Sequence, residues 1–221
     1  IDYTNGEPSI LLEPSRTNVL NYSQDFADSF WLKHNVTFTA NQTNSPEGIL
    51  NSGKLIASTS NTSHRFEPAS IPAGVVGTTY TYSIFVKSAG SNFIQIATST
   101  GFFAKYQNFN LADGKKASGD LETGGYSSNI VSYPNDWYRI SVSATTESGS
   151  STSRFLLIPI LTDAARNPNF AGDGTSGVFI YGAQHEVGSY PTSLIHTSGS
   201  AVTRSADVAN NAGNSDLINS T

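Results

Sequence analysis

Cysteine and methionine are both absent from the 221 residues. Without thiols the chain can build neither a disulfide framework nor a thiolate metal site, and the missing methionine removes an easily oxidised side chain. Stability must therefore come from a well-filled hydrophobic core. Charge is scarce too: Asp, Glu, Lys and Arg make up 13 % of the chain, against about a quarter in ordinary soluble domains. Ser, Thr, Asn and Gly take their place, a composition expected of an extracellular protein, secreted or virion-associated. There is no basic excess. The net charge is −5 and the pI near 5.2, which leaves no electrostatic footprint for nucleic acid or an anionic membrane. No apolar run approaches the roughly 18 to 20 residues of a membrane-spanning helix.

Catalytic signatures are missing as well. No Gly-x-Ser-x-Gly elbow is present, and His34, His64, His185 and His196 are scattered without metal-type spacing. Gly172-Asp-Gly-Thr-Ser-Gly precedes a strand and reads as a turn, the wrong context for a phosphate-binding loop. Glu67, Glu122, Asp136, Glu147 and Glu186 could in principle pair for glycoside hydrolysis, but such chemistry depends on a separation that sequence does not carry. The expectation is a protein that is not an enzyme.

What is present is aromatic and β-prone. The chain holds 12 Phe, 10 Tyr and 2 Trp, enough for one substantial core. Tyr80, Tyr82, Ile84 and Val86 alternate with Thr81, Ser83, Phe85 and Lys87, and Tyr138, Ile140, Val142 and Ala144 alternate with Arg139, Ser141, Ser143 and Thr145. A period of two marks strands. Further strands are expected at Asn92 to Thr98, Lys105 to Leu111, Arg154 to Leu161 and Gly177 to Val187, each closed by turn residues. Only Ser23 to Trp31 suggests one short helical turn. Regular strands without helical crossovers predict an all-β fold, a two-sheet antiparallel β-sandwich. One domain is expected over 1–208. Residues 209–221 lack apolar periodicity and read as a linker or disordered tail, so the chain reads as a piece of a larger protein with a covalently linked neighbouring domain.

Two segments carry a resemblance: Ser9-Ile-Leu-Leu-Glu-Pro-Ser-Arg-Thr-Asn-Val-Leu-Asn-Tyr-Ser-Gln-Asp-Phe and Gly182-Ala-Gln-His-Glu-Val-Gly-Ser-Tyr-Pro-Thr-Ser. They resemble the opening and closing signatures of non-catalytic β-sandwich modules in bacteriophage tail proteins and secreted bacterial polysaccharide-degrading enzymes. Those modules are similar to carbohydrate-binding modules of the jelly-roll type. The resemblance runs from Ile1 to about Val208 and implies polysaccharide or cell-surface glycan as the partner. It also implies a possible structural Ca²⁺, for which Asp25, Asp28 and Asp173 supply hard oxygen ligands. Val202-Thr-Arg-Ser-Ala-Asp-Val belongs to the same resemblance, and the mixture of Glu13, Arg16, Arg204 and Asp207 suggests that the two ends of the domain pair. The position of His185 is commonly apolar in these modules.

Sugars present apolar C–H faces that stack on flat side chains, while amides and guanidinium groups bond the hydroxyls. The candidate ligand-binding residues are therefore Trp31, Phe102 and Tyr106 as stacking rings, with Arg65, Gln184 and Glu186 as hydrogen-bonding groups. Four aromatics, Phe102, Phe103, Tyr106 and Phe109, crowd one segment, and strand alternation cannot bury them all on one side. Strict alternation also places Tyr181, Ala183 and His185 on one face of the last long strand, with Gln184 and Glu186 on the other. Each candidate has a rival reading as core or as solvated surface. The whole chain has one too, as a structural or oligomerisation domain of a tail fibre or adhesin.

Overall fold

The computed structural model describes residues 12–99, 105–120, 126–147 and 154–208. In chain order the strands are β1 (Arg16–Asn18), β2 (Trp31–His34), β3 (Val36–Asn44), β4 (Leu50–Ala57), β5 (Arg65–Pro68), β6 (Thr79–Ala89) and β7 (Phe93–Thr98). They continue as β8 (Tyr106–Asn110), β9 (Lys115–Gly119), β10 (Ser127–Tyr133), β11 (Trp137–Thr145), β12 (Phe155–Ile160), β13 (Gly177–Val187) and β14 (Val202–Arg204). The first six-stranded sheet runs β10-β11-β6-β13-β4-β3 and the second β2-β5-β12-β7-β8-β9, with β1 and β14 forming a small ribbon. Neighbouring strands pair antiparallel throughout. The fold is the antiparallel β-sandwich that the alternation predicted.

Alternation decides what enters the core. From the first sheet, Ile84, Val86, Ile140, Val142, Val178 and Ile180 point inward; from the second, Phe66, Ile94, Ile96, Phe109, Phe155 and Leu157 meet them. Each such side chain contributes roughly 1.5 to 3 kcal/mol by leaving water. Trp31 closes one end of this core, stacked on Phe66 with ring centroids 4.9 Å apart and planes at 6°. Its indole N–H donates to the Tyr22 carbonyl at 2.9 Å.

The segment before Trp31 is not helical, contrary to the expectation for Ser23 to Trp31; among the described residues there is no helix. Asp25 and Asp28 accept instead from the backbone N–H groups of Ala27 and Phe30, two residues on. Such side-chain turns satisfy the backbone that a helix would have used.

The ends of the domain do pair. Arg16 lies opposite Arg204 across β1 and β14, and Glu13 receives the Arg204 guanidinium. The Asp207 N–H donates to the Glu13 carbonyl at 2.9 Å. Residues 209–221 lie outside the described residues.

Candidate functional site

A β-bulge reorders the last long strand. The register of β13 against β6 shifts between Tyr181 and Gln184, where Gly182 takes a φ of 59°. That left-handed conformation suits glycine. Strict alternation would have put Tyr181 inside with Ala183 and His185. The extra residue turns Tyr181 to the outer face of the first sheet, beside Phe85 and Trp137, while Ala183 enters the core and His185 meets Tyr80 and Phe155 there.

Gln184 and Glu186 share that outer face, but they are fully buried there. The segment after β13 folds back over them. Glu186 accepts from Gln184 Nε2 at 2.5 Å, from the Thr192 N–H at 2.9 Å and from the Thr192 hydroxyl at 2.7 Å, and pairs with Arg16 at 3.8 Å. Gln184 Oε1 in turn accepts from the Ile195 N–H at 2.7 Å. Neither side chain has a group left for a sugar, which corrects the expectation for both. Trp31 is corrected in the same way, because it is 2 % exposed and belongs to the core. Phe102 lies outside the described residues.

The other two candidates, Arg65 and Tyr106, lie on the opposite side of the molecule, on the outer face of the second sheet and three strands apart. Phe66 points into the core, so its neighbours Arg65 and Glu67 point outward, opposite His34 and Leu32 of β2. Leu156 of β12 faces Ala97 of β7, and Ala97 faces Tyr106 of β8. Tyr106 packs, with Phe93 and Phe170, on an aliphatic floor of Ala97, Leu156, Ile158 and Ile160. Phe109, three residues on, is inside and fully buried. Alternation thus separates Tyr106 from Phe109 and leaves Tyr106 half-exposed, while Phe103, like Phe102, lies outside the described residues.

Charged groups surround this floor. Glu67 Oε1 lies 3.2 Å from His34 Nε2, and its Oε2 lies 3.5 Å from Arg154 Nη1. The loop after β12 crosses the face as a strap. Asn108 donates to Asp163 at 2.7 Å and to the Ala164 carbonyl at 2.6 Å, and Gln95 exchanges bonds with Ala165 and Asn167. This strap carries Arg166, whose Nη2 donates to the Thr98 carbonyl at 2.7 Å. Partial burial lowers the Arg166 pKa, with Asp120 acting against the shift and Arg65 adding to it. Hydrogen bonds from Asn108 and Ser118 hold the Asp163 carboxyl below its usual range.

Sequence reasoning did not place His34, Glu67, Arg154 or Arg166 among the ligand-binding candidates. The charged-apolar-charged alternation of Arg65-Phe66-Glu67 was a usable signal for Glu67. Arg166 had none, since a loop residue shows no period that reveals which sheet it covers.

A pocket of about 410 Å³ opens elsewhere, between the β6–β7 turn and the 171–176 loop, lined by Asn92, Phe93, Leu161, Asp173 and Ser176. Its polar groups are already engaged: Asp173 accepts from Thr175 and Ser176, and Asn92 from Ser88. Asp25, Asp28 and Asp173 do not assemble into a metal-binding cluster; among the described residues no group of three or more His, Asp or Glu side chains does.

No family model and no curated protein matches the chain. Solved structures similar in fold include the enzymatically active domain of tailspike protein 4 from bacteriophage CBA120, with a TM-score of 0.46 and 13 % identity over 77 % of this chain and 21 % of that one. The CBM22-1 xylan-binding domain of Xyn10C from Paenibacillus barcinonensis gives 0.40 and 13 %, over 79 % of this chain and 94 % of that one. TmCBM27, a carbohydrate-binding module with specific mannan recognition, gives 0.37 and 12 %, over 80 % and 98 %. The chain spans about a fifth of the tailspike domain's length and nearly the whole of the two binding modules.

Proposed function

We propose that this chain is a non-catalytic carbohydrate-binding module that holds a polysaccharide or cell-surface glycan on the outer face of its second sheet, outside the cell, for a larger secreted enzyme or phage tail protein. One observation carries the reading. The half-exposed ring of Tyr106 and the guanidinium groups of Arg65, Arg154 and Arg166 lie on one sheet face around a common aliphatic floor. A flat ring takes the C–H face of a sugar, and planar donors take its oxygens. Such a site binds weakly and gains from linkage to neighbouring domains.

The test is a glycan array probed with the whole chain, followed by calorimetry on any polysaccharide retained. Tyr106→Ala should abolish detectable binding while leaving Tm unchanged. Full affinity in Tyr106→Ala would overturn this location of the site, and an array without any retained glycan would overturn the reading itself. The competing reading, a spacer or oligomerisation domain, draws on Ile49 and Leu50, which are 58 % and 57 % exposed at the β3–β4 turn. Self-association in sedimentation that is lost on Leu50→Ser would favour it.

A further inference from the structure

We propose that the carbohydrate site on the second sheet selects acidic saccharides, with Arg65 as the residue that takes the carboxylate or sulfate ester of the bound sugar. The inference rests on the carbohydrate-binding reading and names its substrate class.

The distribution of arginine motivates it. Arg16, Arg139 and Arg204 belong to the side of the first sheet, where Arg16 meets Glu186, Arg204 meets Glu13, and Arg139 donates to Ser83 over the ring of Phe85. The chain's other arginines, Arg65, Arg154 and Arg166, all gather on the outer face of the second sheet, although the chain as a whole carries a net charge of −5. Three of the chain's six arginines thus share one face, with Glu67, Asp120 and Asp163 among them as counter-charges.

Within the cluster, Arg65 stands apart. Both oxygens of Glu67, the acid two residues along the same face, are taken, one by His34 and the other by Arg154. Arg166 bonds the Thr98 carbonyl and has Asp120 nearby. Among the described residues Arg65 has no hydrogen-bond or ion-pair partner, and its Nε is buried without an acceptor. Its charged neighbour across the face is Arg166, of the same sign. An anion placed between the two guanidinium groups would bond both and offset their like charge. The planar fork of arginine fits carboxylate or sulfate oxygens in a bidentate manner.

Geometry places that anion relative to the stacking ring. Tyr106 on β8 shares one row across the sheet with Ala97, Leu156 and Glu67, and Arg65 lies two residues before Glu67 on β5, which puts it about 16 Å from Tyr106 on the diagonal. A saccharide stacked on Tyr106 and running obliquely over the strands extends toward Arg65.

The test compares polygalacturonate as a carboxylate polymer, dextran sulfate as a sulfate polymer, and dextran and xylan as neutral ones, by affinity electrophoresis and calorimetry. At least one acidic polymer should bind tenfold or more tightly than either neutral one. Arg65→Gln should lose at least tenfold of that affinity with Tm unchanged, and Arg65→Lys should lose less. Lys54→Gln, which removes the same charge from the first sheet, should lose nothing. Whichever acidic polymer responds to Arg65 identifies the acid group. Equal loss in Arg65→Gln and Lys54→Gln would show unspecific charge attraction and sink the proposal. Binding of a neutral polymer that is indifferent to Arg65 would overturn the acidic specificity while leaving the carbohydrate reading intact. No binding to any polymer would remove both.

Discussion

His185 and Phe155 meet edge-on between the two sheets, with ring centroids 5.1 Å apart and planes at 88°. Tyr80 packs on the same imidazole, and His185 Nε2 is buried without a partner. Burial alone drives the His185 pKa down to about 3. The folded chain therefore keeps the ring neutral while the unfolded chain protonates it near the ordinary value of about 6.5. Stability from this residue is complete above that value and is lost as pH falls from there toward the folded pKa, at up to roughly 1.4 kcal/mol per pH unit. His64, whose pKa burial also lowers, works in the same direction.

Tm should consequently drop between pH 7 and pH 5, and His185→Leu should flatten that drop. Calorimetric scans of both proteins at several pH values measure it. An equal pH slope in His185→Leu would show that the ring does not carry the effect.

The Glu186 carboxylate accepts from Gln184, Thr192 and Arg16 in a buried setting. Glu186→Ala strands all of these donors and should cost about 3 kcal/mol, the range found when one partner of a buried charge pair is removed. Glu186→Gln, which keeps an acceptor oxygen, should cost less. Urea denaturation ranks the three proteins; a loss below about 1 kcal/mol in the Ala variant would contradict this account.

Gly182 holds the bulge with a φ of 59°, and a Cβ there would lie 2.6 Å from Leu194 Cδ2. Gly182→Ala should therefore lose about 1 to 2 kcal/mol, mostly from backbone strain, since the tip of a leucine side chain can move. Adding Leu194→Ala to the Gly182→Ala background tests the division: the strain should remain when the contact is gone. Recovery of full stability in the double variant would assign the cost to the contact.

Trp31→Ala removes a ring stacked in the core and should cost about 3 to 5 kcal/mol of folding free energy. The fraction that remains folded should retain its glycan affinity, the reverse of Tyr106→Ala. Affinity lost in step with Tyr106→Ala would return Trp31 to the site.

Much of the fold was legible because period-two alternation is a local property. β11 and β13 fall where the pattern predicted, and β6 begins there and runs two residues longer. Short or polar strands escaped, as in β3, where Thr37, Thr39, Ala40, Asn41 and Gln42 are exposed and supply no apolar period. The site was legible only in part. Arg65 and Tyr106 could be named as residue types, but Gln184 and Glu186 show the same polar signal and are buried.

By itself the sequence determined the antiparallel sandwich and the dependence on a core without disulfides, because composition and alternation act over a few residues at a time; the pairing of ends around Glu13 and Arg204 was expected only from the resemblance of the two end segments. Only the tertiary structure decided which polar faces stay open. Covering a strand requires a segment from elsewhere: the turn after β13 returns over Gln184 and Glu186 and buries them. The strap after β12 covers Gln95 and Asn108 yet leaves Arg65 half-exposed, with Glu67 already bonded to His34 and Arg154. Those contacts join residues far apart in the chain, and no local pattern encodes them.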